Sequence, residues 1–374
     1  MRVAIVTESF LPLVNGVTVS VQRLSEQLQH RGHQVLVVAP EGGVTSWAGA
    51  EVVGVPAAPV PGYSGHRFPF PWPWLTGTLR AFRPDLIHLA SPAVLGAQGA
   101  VAAGRLGVPC IAVYQTDLAA YAALYRAPGA SRAVWRWLRW IHTQAGATLA
   151  PSRQAVAELQ ARGVPRVSLW RRGVDLERFA PRHRDQTLRA GLAGDDGRLL
   201  VGYVGRLAVE KQVHLLAGLA ADPRFRVVVV GEGPVRGDLQ RRLPGAHFLG
   251  LQGGERLASI VASLDVFVHT GPHETFCQAA QEALASGVPV VAPAAGGLLD
   301  LVDDGANGLL YPAGSGADLT DAVRRLADDP GTLAVMARNA RASVLGRSWE
   351  AVTDQYLVTA HGLLARGAVN RTAA

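Results

Sequence analysis

Short apolar runs of strand character alternate with helix-period segments along this chain, and the series starts afresh near residue 199. Arg2–Thr7 opens as a strand; Val17, Val21, Leu24 and Leu28 then recur at helical spacing until Gly32 ends the helix. Strands are expected next at Val35–Ala39, Asp85–Leu89, Pro109–Tyr114, Ala147–Ala150 and Val167–Trp170, with helices near Val94–Leu106 and Arg132–Gln144. The polar stretch Asp175–Gly197, broken by Pro181, Gly191 and Gly194, reads as a linker. A second series follows, with strands at Leu199–Val204, Arg226–Val230, His247–Leu249, Val266–His269 and Pro289–Ala292, and helices at Glu210–Ala221, Val235–Leu243 and Thr275–Ser286. Alternation of this kind builds parallel sheets with right-handed crossovers. With 374 residues the chain has room for two cores. The reading is α/β in two domains, residues 1–175 and 176–345, with a closing helical segment at 346–374. Two such sheets in succession set a cleft between them, and ligands sit at the carboxyl ends of their strands.

Charge is unevenly placed. Residues 1–175 carry 16 Arg against 8 Asp or Glu, a surplus of +8, whereas residues 176–374 carry 20 Lys or Arg against 21 Asp or Glu, or −1. A basic half suits an anionic partner, such as a lipid surface, a phosphorylated acceptor or nucleic acid, or is simply Arg-rich composition. Cys110 and Cys277 form no CxxC and point to neither a disulfide framework nor a zinc site. The opening apolar run is short for a signal peptide and no stretch of about 18 apolar residues occurs, so the expected location is the cytoplasm.

The chain has one lysine, Lys211, five residues after Arg206 in Gly205-Arg206-Leu207-Ala208-Val209-Glu210-Lys211, at the end of the second series' first strand. Arg grips phosphate oxygens in a fork and Lys adds a compact charge, so both suit a diphosphate leaving group that gains charge as its bond breaks. A salt bridge of Lys211 to Glu210 or Glu232 is the alternative. Glu274 and Glu282 stand eight residues apart, expected on one helix. There they lie about 12 Å apart along the axis, too far for a close catalytic pair but suited to an extended ligand such as a sugar joined to a ribose through a diphosphate. The N–H groups of Thr275, Phe276 and Cys277 at that helix start would face the diphosphate. Taken alone, such a pair reads as one capping and one solvated glutamate; its company in the chain points to the ligand. Gly231-Glu232-Gly233-Pro234 follows another strand and is expected to line the nucleotide end. Gly16, in Asn15-Gly16-Val17, lets backbone approach a phosphate, yet GxGxxG is absent there. No Asp-x-Asp occurs; Asp195-Asp196, Asp303-Asp304 and Asp328-Asp329 are adjacent pairs, so no metal is expected to bridge the diphosphate.

Residues 131–142 read as an amphipathic helix, with Val134, Trp137, Leu138 and Ile141 on one face and Arg132, Arg136 and Arg139 opposite, edged by Trp135 and Trp140. Arginines flanked by tryptophans suit an anionic lipid interface, and the aromatic segment Phe68–Trp74 adds to it. An ordinary surface helix is the alternative.

Together, the NGV loop, GRL…EK, the GEGP turn, the E-x7-E segment followed by SGVPVVA, Gly296-Gly297, Asn307-Gly308 and the closing SWE resemble the retaining glycosyltransferases of family 4 over nearly the whole chain. The resemblance implies the GT-B fold: two Rossmann-like domains facing each other across a deep cleft, with a C-terminal helix crossing back to the first. It implies that Arg206 and Lys211 hold the diphosphate, that Glu274 contacts the transferred sugar and that Glu282 binds the ribose. Phe276 and Cys277 would give backbone donors, and Gly16 would approach the β-phosphate. The opening VTESFLPLVNGVTVSVQRL and Tyr114-Gln115-Thr116-Asp117 look like bacterial GDP-mannose-dependent α-mannosyltransferases acting on membrane glycolipids, and less closely like UDP-sugar-dependent glucosyl- or sulfoquinovosyl-transferases. Many members carry His where Gln115 stands. Gln relays no proton, so Gln115 would orient the sugar and Asp117 would meet the acceptor hydroxyl. The expected enzyme is a metal-independent hexosyltransferase without cofactor, peripheral at the inner face of the plasma membrane. It would use a nucleotide-diphosphate sugar and a lipid or glycolipid acceptor, and no nucleic acid. A nucleotide-sugar 2-epimerase, a pyridoxal-dependent phosphorylase and a basic nucleic-acid-binding protein are the competing classes.

Overall fold

The computed structural model describes residues 1–59, 67–90, 92–117, 130–194 and 197–372. It divides into one unit of Met1–Arg172 with Trp349–Ala374, and a second of Gly173–Ser348. The Asp195-Asp196 pair lies outside the described residues.

The first unit is built on β1 (Arg2–Val6), β2 (Gln34–Pro40), β3 (Ser46–Trp47), β4 (Ala50–Val55), β7 (Leu86–Leu89), β8 (Cys110–Val113), β9 (Ala147–Ala150) and β10 (Val167–Leu169), with a small β5 (Ala57–Pro59)–β6 (Arg67–Pro69) ribbon beside them. The spatial order is β10-β9-β8-β7-β1-β2-β4-β3, parallel except at β3–β4. Alternation along β1 splits the core into two layers. Val3 and Ile5 pack with the helix Gly16–His30, while Ala4 and Val6 pack with Leu75, Leu79 and Leu95. Asn15 caps Gly16–His30 by accepting the Thr18 N–H at 2.9 Å.

The final helix, Trp349–Thr372, belongs to this unit. Trp170 donates its indole N–H to the Val352 carbonyl at 2.7 Å, and the Tyr356 hydroxyl lies 3.2 Å from His88 Nδ1. Arg31 pairs with Asp354 at 2.8 Å. Burial depresses His88 to about 3, so that ring is neutral.

The second unit holds β11 (Leu199–Val204), β12 (Phe225–Val230), β13 (His247–Gly250), β14 (Val266–Val268), β15 (Val290–Pro293) and β16 (Gly308–Tyr311), all parallel, in the order β13-β12-β11-β14-β15-β16. This is the doubly wound order 3-2-1-4-5-6, whose topological switch point falls between β11 and β14. Here too alternate residues part: Val228 and Val230 face one core, Val227 and Val229 the other.

Three expectations are corrected. The linker is structured: Asp185 caps a helix at Gln186–Ala193 whose Leu192 and Ala193 are buried. The continuous helix expected at Glu210–Ala221 is instead two 3-10 turns and a five-residue helix, broken at Gln212 by a positive φ of 50°. The helix expected from Thr275 begins at Gln278, because Cys277 holds φ 79°, ψ 81°, which no right-handed helix admits.

Candidate active site

In the second unit the carboxyl ends of β11 and β14 bring together groups that are 63 residues apart. Lys211 ends the 3-10 turn Val209–Lys211, and its ammonium lies 2.5 Å from Glu274 Oε1. Both side chains are about 15% exposed. The Thr270 hydroxyl donates to the Lys211 carbonyl at 2.5 Å, tying the two loops together. His269, the residue after β14, sets Nε2 3.0 Å from the same Glu274 oxygen, and its Nδ1 lies 3.7 Å from Cys277 Sγ. Burial alone would raise the Glu274 carboxyl; Lys211 and then His269 outweigh it and hold the group far below its ordinary range. Burial likewise works against a charged His269, but Cys277 and Glu274 lift it to about 9.

Lys211 therefore pairs with Glu274. Glu232 pairs with Arg236. Glu274 sits in a loop and Glu282 on the helix Gln278–Ala285, so they are not two positions of one helix. Thr275 is half-buried, Phe276 1% exposed and Cys277 7% exposed, which leaves backbone as the chief polar surface of that segment. Under it runs Gly296-Gly297. Gly297 donates its N–H to the Glu274 carbonyl at 2.7 Å, and a Cβ on Gly297 would stand 2.5 Å from Phe276 Cα. Arg206 is half-buried after Gly205, and its carbonyl accepts the Tyr203 hydroxyl at 3.1 Å. The GEGP turn packs on this loop: Leu207 donates its N–H to the Glu232 carbonyl at 2.9 Å, and a side chain at Gly231 or Gly233 would strike the Gly205 or Leu207 carbonyl.

His269, Glu274 and Cys277 place one potential ligand atom each within 4.8 Å of one another. The two ring nitrogens face different partners and an ammonium already sits on the carboxylate, so the set fits an ion-pair array rather than a cage around one ion. Sequence reasoning missed His269; its position five residues before Glu274 at a strand end was the available signal.

In the first unit, β1 and β7 flank the corresponding switch point. Glu8, after β1, accepts the N–H groups of Ala93 at 3.1 Å and Gly96 at 2.9 Å at the start of the helix Val94–Leu106. Burial pushes this carboxyl up to about 7, against those hydrogen bonds. Gln115 is 7% exposed, donates to the Ala90 carbonyl at 2.6 Å and accepts from Arg172 at 3.0 Å. Arg172 also donates to the Gly16 carbonyl. Asp117 lies beside Tyr114 and Glu158, where its charge helps raise both groups after burial has done so.

The helix Ala130–Gln144 corrects one assignment. Trp135 is 7% exposed, stacked on Tyr114 at 6.1 Å and covered by the Arg162 guanidinium, because the buried stripe runs through positions 135, 138, 141 and 142. Trp137 and Trp140 face outward instead, 46% and 39% exposed, stacked on each other at 5.1 Å. Arg132, Arg136 and Arg139 are exposed around them. Phe68, Phe70 and Trp74 are exposed as well, so every strongly exposed aromatic among the described residues lies in the first unit. No helix among the described residues is long and apolar enough to cross a membrane.

The chain matches the profile of Glycosyltransferase Family 4 over residues 14–178 and that of Glycosyl transferases group 1 over residues 185–343. It is 48% identical over 364 residues to a GDP-mannose-dependent alpha-mannosyltransferase of Mycobacterium tuberculosis, covering 96% of this chain and 95% of the relative. It is 33% identical over 369 residues to the sulfoquinovosyl transferase SQD2 of Arabidopsis thaliana, covering 95% of this chain and 72% of that one. Among solved structures, Anabaena Alr3699/HepE in complex with UDP-glucose superposes with a TM-score of 0.80 at 21% identity over 97% of this chain and all of that one, a likeness of fold.

Proposed function

This chain belongs to glycosyltransferase family 4, and from that premise we propose that it transfers mannose from GDP-mannose, with retention, to a glycolipid at an anionic membrane surface. It is a hexosyltransferase of the GT-B fold. The observation that carries the reading is the Lys211–Glu274 pair at the switch point of a 3-2-1-4-5-6 sheet. Lys211 and Arg206 neutralise the diphosphate as the bond from the sugar's anomeric carbon to the β-phosphate oxygen breaks. Glu274 accepts hydrogen bonds from hexose hydroxyls, Glu282 takes the ribose, and backbone N–H groups at 275–277 meet phosphate. The acceptor oxygen attacks from the face the phosphate leaves, and its proton passes to the departing phosphate oxygen, so products are the mannoside and GDP. Gln115 and Asp117 serve the acceptor side. No divalent ion is needed, because fixed cations stabilise the charge that develops.

The choice of GDP-mannose over a UDP-sugar follows the 48% identity to the mycobacterial mannosyltransferase against 33% to the sulfoquinovosyl relative. The exposed Trp137–Trp140 pair among arginines supports the membrane side of the reading. In a thermal-shift screen, GDP should raise the melting point where UDP and ADP do not. Radiolabelled mannose from GDP-mannose should enter the organic-extractable fraction and survive EDTA. In the doubly substituted R206A/K211A enzyme, turnover should fall by at least about 1000-fold, the scale of losing fixed charge-stabilising donors. Transfer from UDP-glucose alone, or abolition by EDTA, contradicts the proposal.

A further inference from the structure

Glu274 Oε1 is shared by two cations of very different freedom. Lys211 reaches it through a flexible four-carbon stem. His269 cannot leave: its ring is 2% exposed and stacked on Tyr203 at 5.9 Å and 15°. Its backbone N–H donates to the Val291 carbonyl at 2.9 Å, and its backbone carbonyl accepts the Tyr311 hydroxyl at 2.9 Å. Cys277 Sγ occupies the Nδ1 edge, which leaves the Nε2 edge to Glu274.

On the reading that Lys211 meets the diphosphate and Glu274 the sugar, these two roles collide. Lys211 cannot sit on the carboxylate and serve phosphate oxygens at full strength at once. A buried carboxylate abandoned by its cation would take up a proton, and its protonated oxygen no longer accepts from the sugar. We infer that His269 is a positioning residue: it stays paired with Glu274 when Lys211 turns to the diphosphate, keeping the carboxylate ionised and in place. The other titratable groups facing this array are Lys211, Cys277, Tyr203 and Glu210, with Tyr311 behind it. With His269 lifted to about 9, the imidazolium is present throughout the neutral range.

The test uses the full chain with GDP, GDP-mannose and octyl glucoside as a surrogate glycolipid. In H269Q, the Kd for GDP should stay within about twofold of wild type while kcat falls about 100-fold, the scale of a catalytic group displaced by an ångström. The acid limb of its kcat profile should move up by about one pH unit, because a Glu274 without its fixed cation protonates more readily. A purely structural role would lower GDP affinity and melting point together and leave that limb in place. As a measurement that needs no variant, the 15N signals of His269 in the wild-type chain should remain those of an imidazolium at pH 8 when GDP saturates the site. Loss of that signal on GDP binding, or an unchanged kcat in H269Q, overturns the inference while the donor reading stands. Failure of the wild-type chain to bind GDP defeats the donor reading and this inference with it.

Discussion

Glu8 is a carboxylate that the fold makes costly to ionise. Its side chain takes two backbone N–H groups at a helix start, yet burial outweighs them and places it near 7, against 4.5 ordinarily. Between those values the folded protein holds more protons than the unfolded chain, so stability falls as pH rises from about 4.5 to about 7 and is level above. The gap is worth roughly 3 kcal/mol at 1.36 kcal/mol per unit. Glu8→Gln keeps an oxygen for the same N–H groups and removes the charge. It should melt several degrees above wild type at pH 8 and with it at pH 4.5 in calorimetric scans; equal melting at both would place the carboxyl at its ordinary value. At this scale the sequence was legible where a residue type was singular. Lys211 drew attention as the only lysine, and Glu274 through its segment. Glu8 gave no signal, and His269 only its place at a strand end five residues before Glu274, because an acid after a first strand and a histidine at a strand end are ordinary until three-dimensional contacts give them partners.

Helices show a different limit. Periodicity located Gly16–His30 and Val94–Leu106 closely, since apolar spacing and a closing glycine agree there. It placed the helix before Gln278 too early, because the positive φ of Cys277 is a tertiary demand on a residue that does not announce it. It also put Trp135 at the exposed edge and Trp137 on the apolar face: Leu138 and Ile141 are buried as expected, but Tyr114 and Arg162 pack on Trp135 and turn that edge of the helix inward. The short strands Ser46–Trp47, Ala50–Val55, Ala57–Pro59 and Arg67–Pro69 were missed because glycines and prolines interrupt their apolar residues. Among the contacts that hold the closing helix, Tyr356 is its largest fully buried side chain. Tyr356 is fully buried, with its ring 5.4 Å from His88 and 5.6 Å from Trp170. Tyr356→Ala should cost about 3–5 kcal/mol through the cavity it leaves, read as a lowered urea midpoint. Tyr356→Phe should cost only about 1–2 kcal/mol, from the hydrogen-bond partner lost by the neutral His88. If alanine costs no more than phenylalanine, the helix is not held by this ring.

For the whole molecule, charge and exposed aromatics coincide in the unit that contains the chain's first 172 residues. The surplus of +8 in residues 1–175 was readable from sequence; that Trp137 and Trp140, not Trp135, face water beside Arg132, Arg136 and Arg139 was not. On the proposed membrane docking of this face, two contributions to affinity are expected, and salt separates them. Arginine attraction to an anionic surface is worth about 1 kcal/mol each within a Debye length, which shrinks from about 8 Å at 0.15 M salt to about 3 Å at 1 M. Tryptophan insertion is apolar and largely salt-insensitive. Partition onto phosphatidylglycerol vesicles should therefore drop steeply between these salt concentrations, to a residue that W137A/W140A abolishes. Replacing the three arginines by glutamine should remove about 3 kcal/mol, roughly a 100-fold loss at 0.15 M salt, and should flatten the salt dependence. GDP affinity should not follow either change, because Arg206 and Lys211, the residues proposed to meet the diphosphate, belong to the other unit. Equal sedimentation of wild type and both variants at low salt would mean that this face does not meet lipid, and that the acceptor reaches the enzyme by another surface.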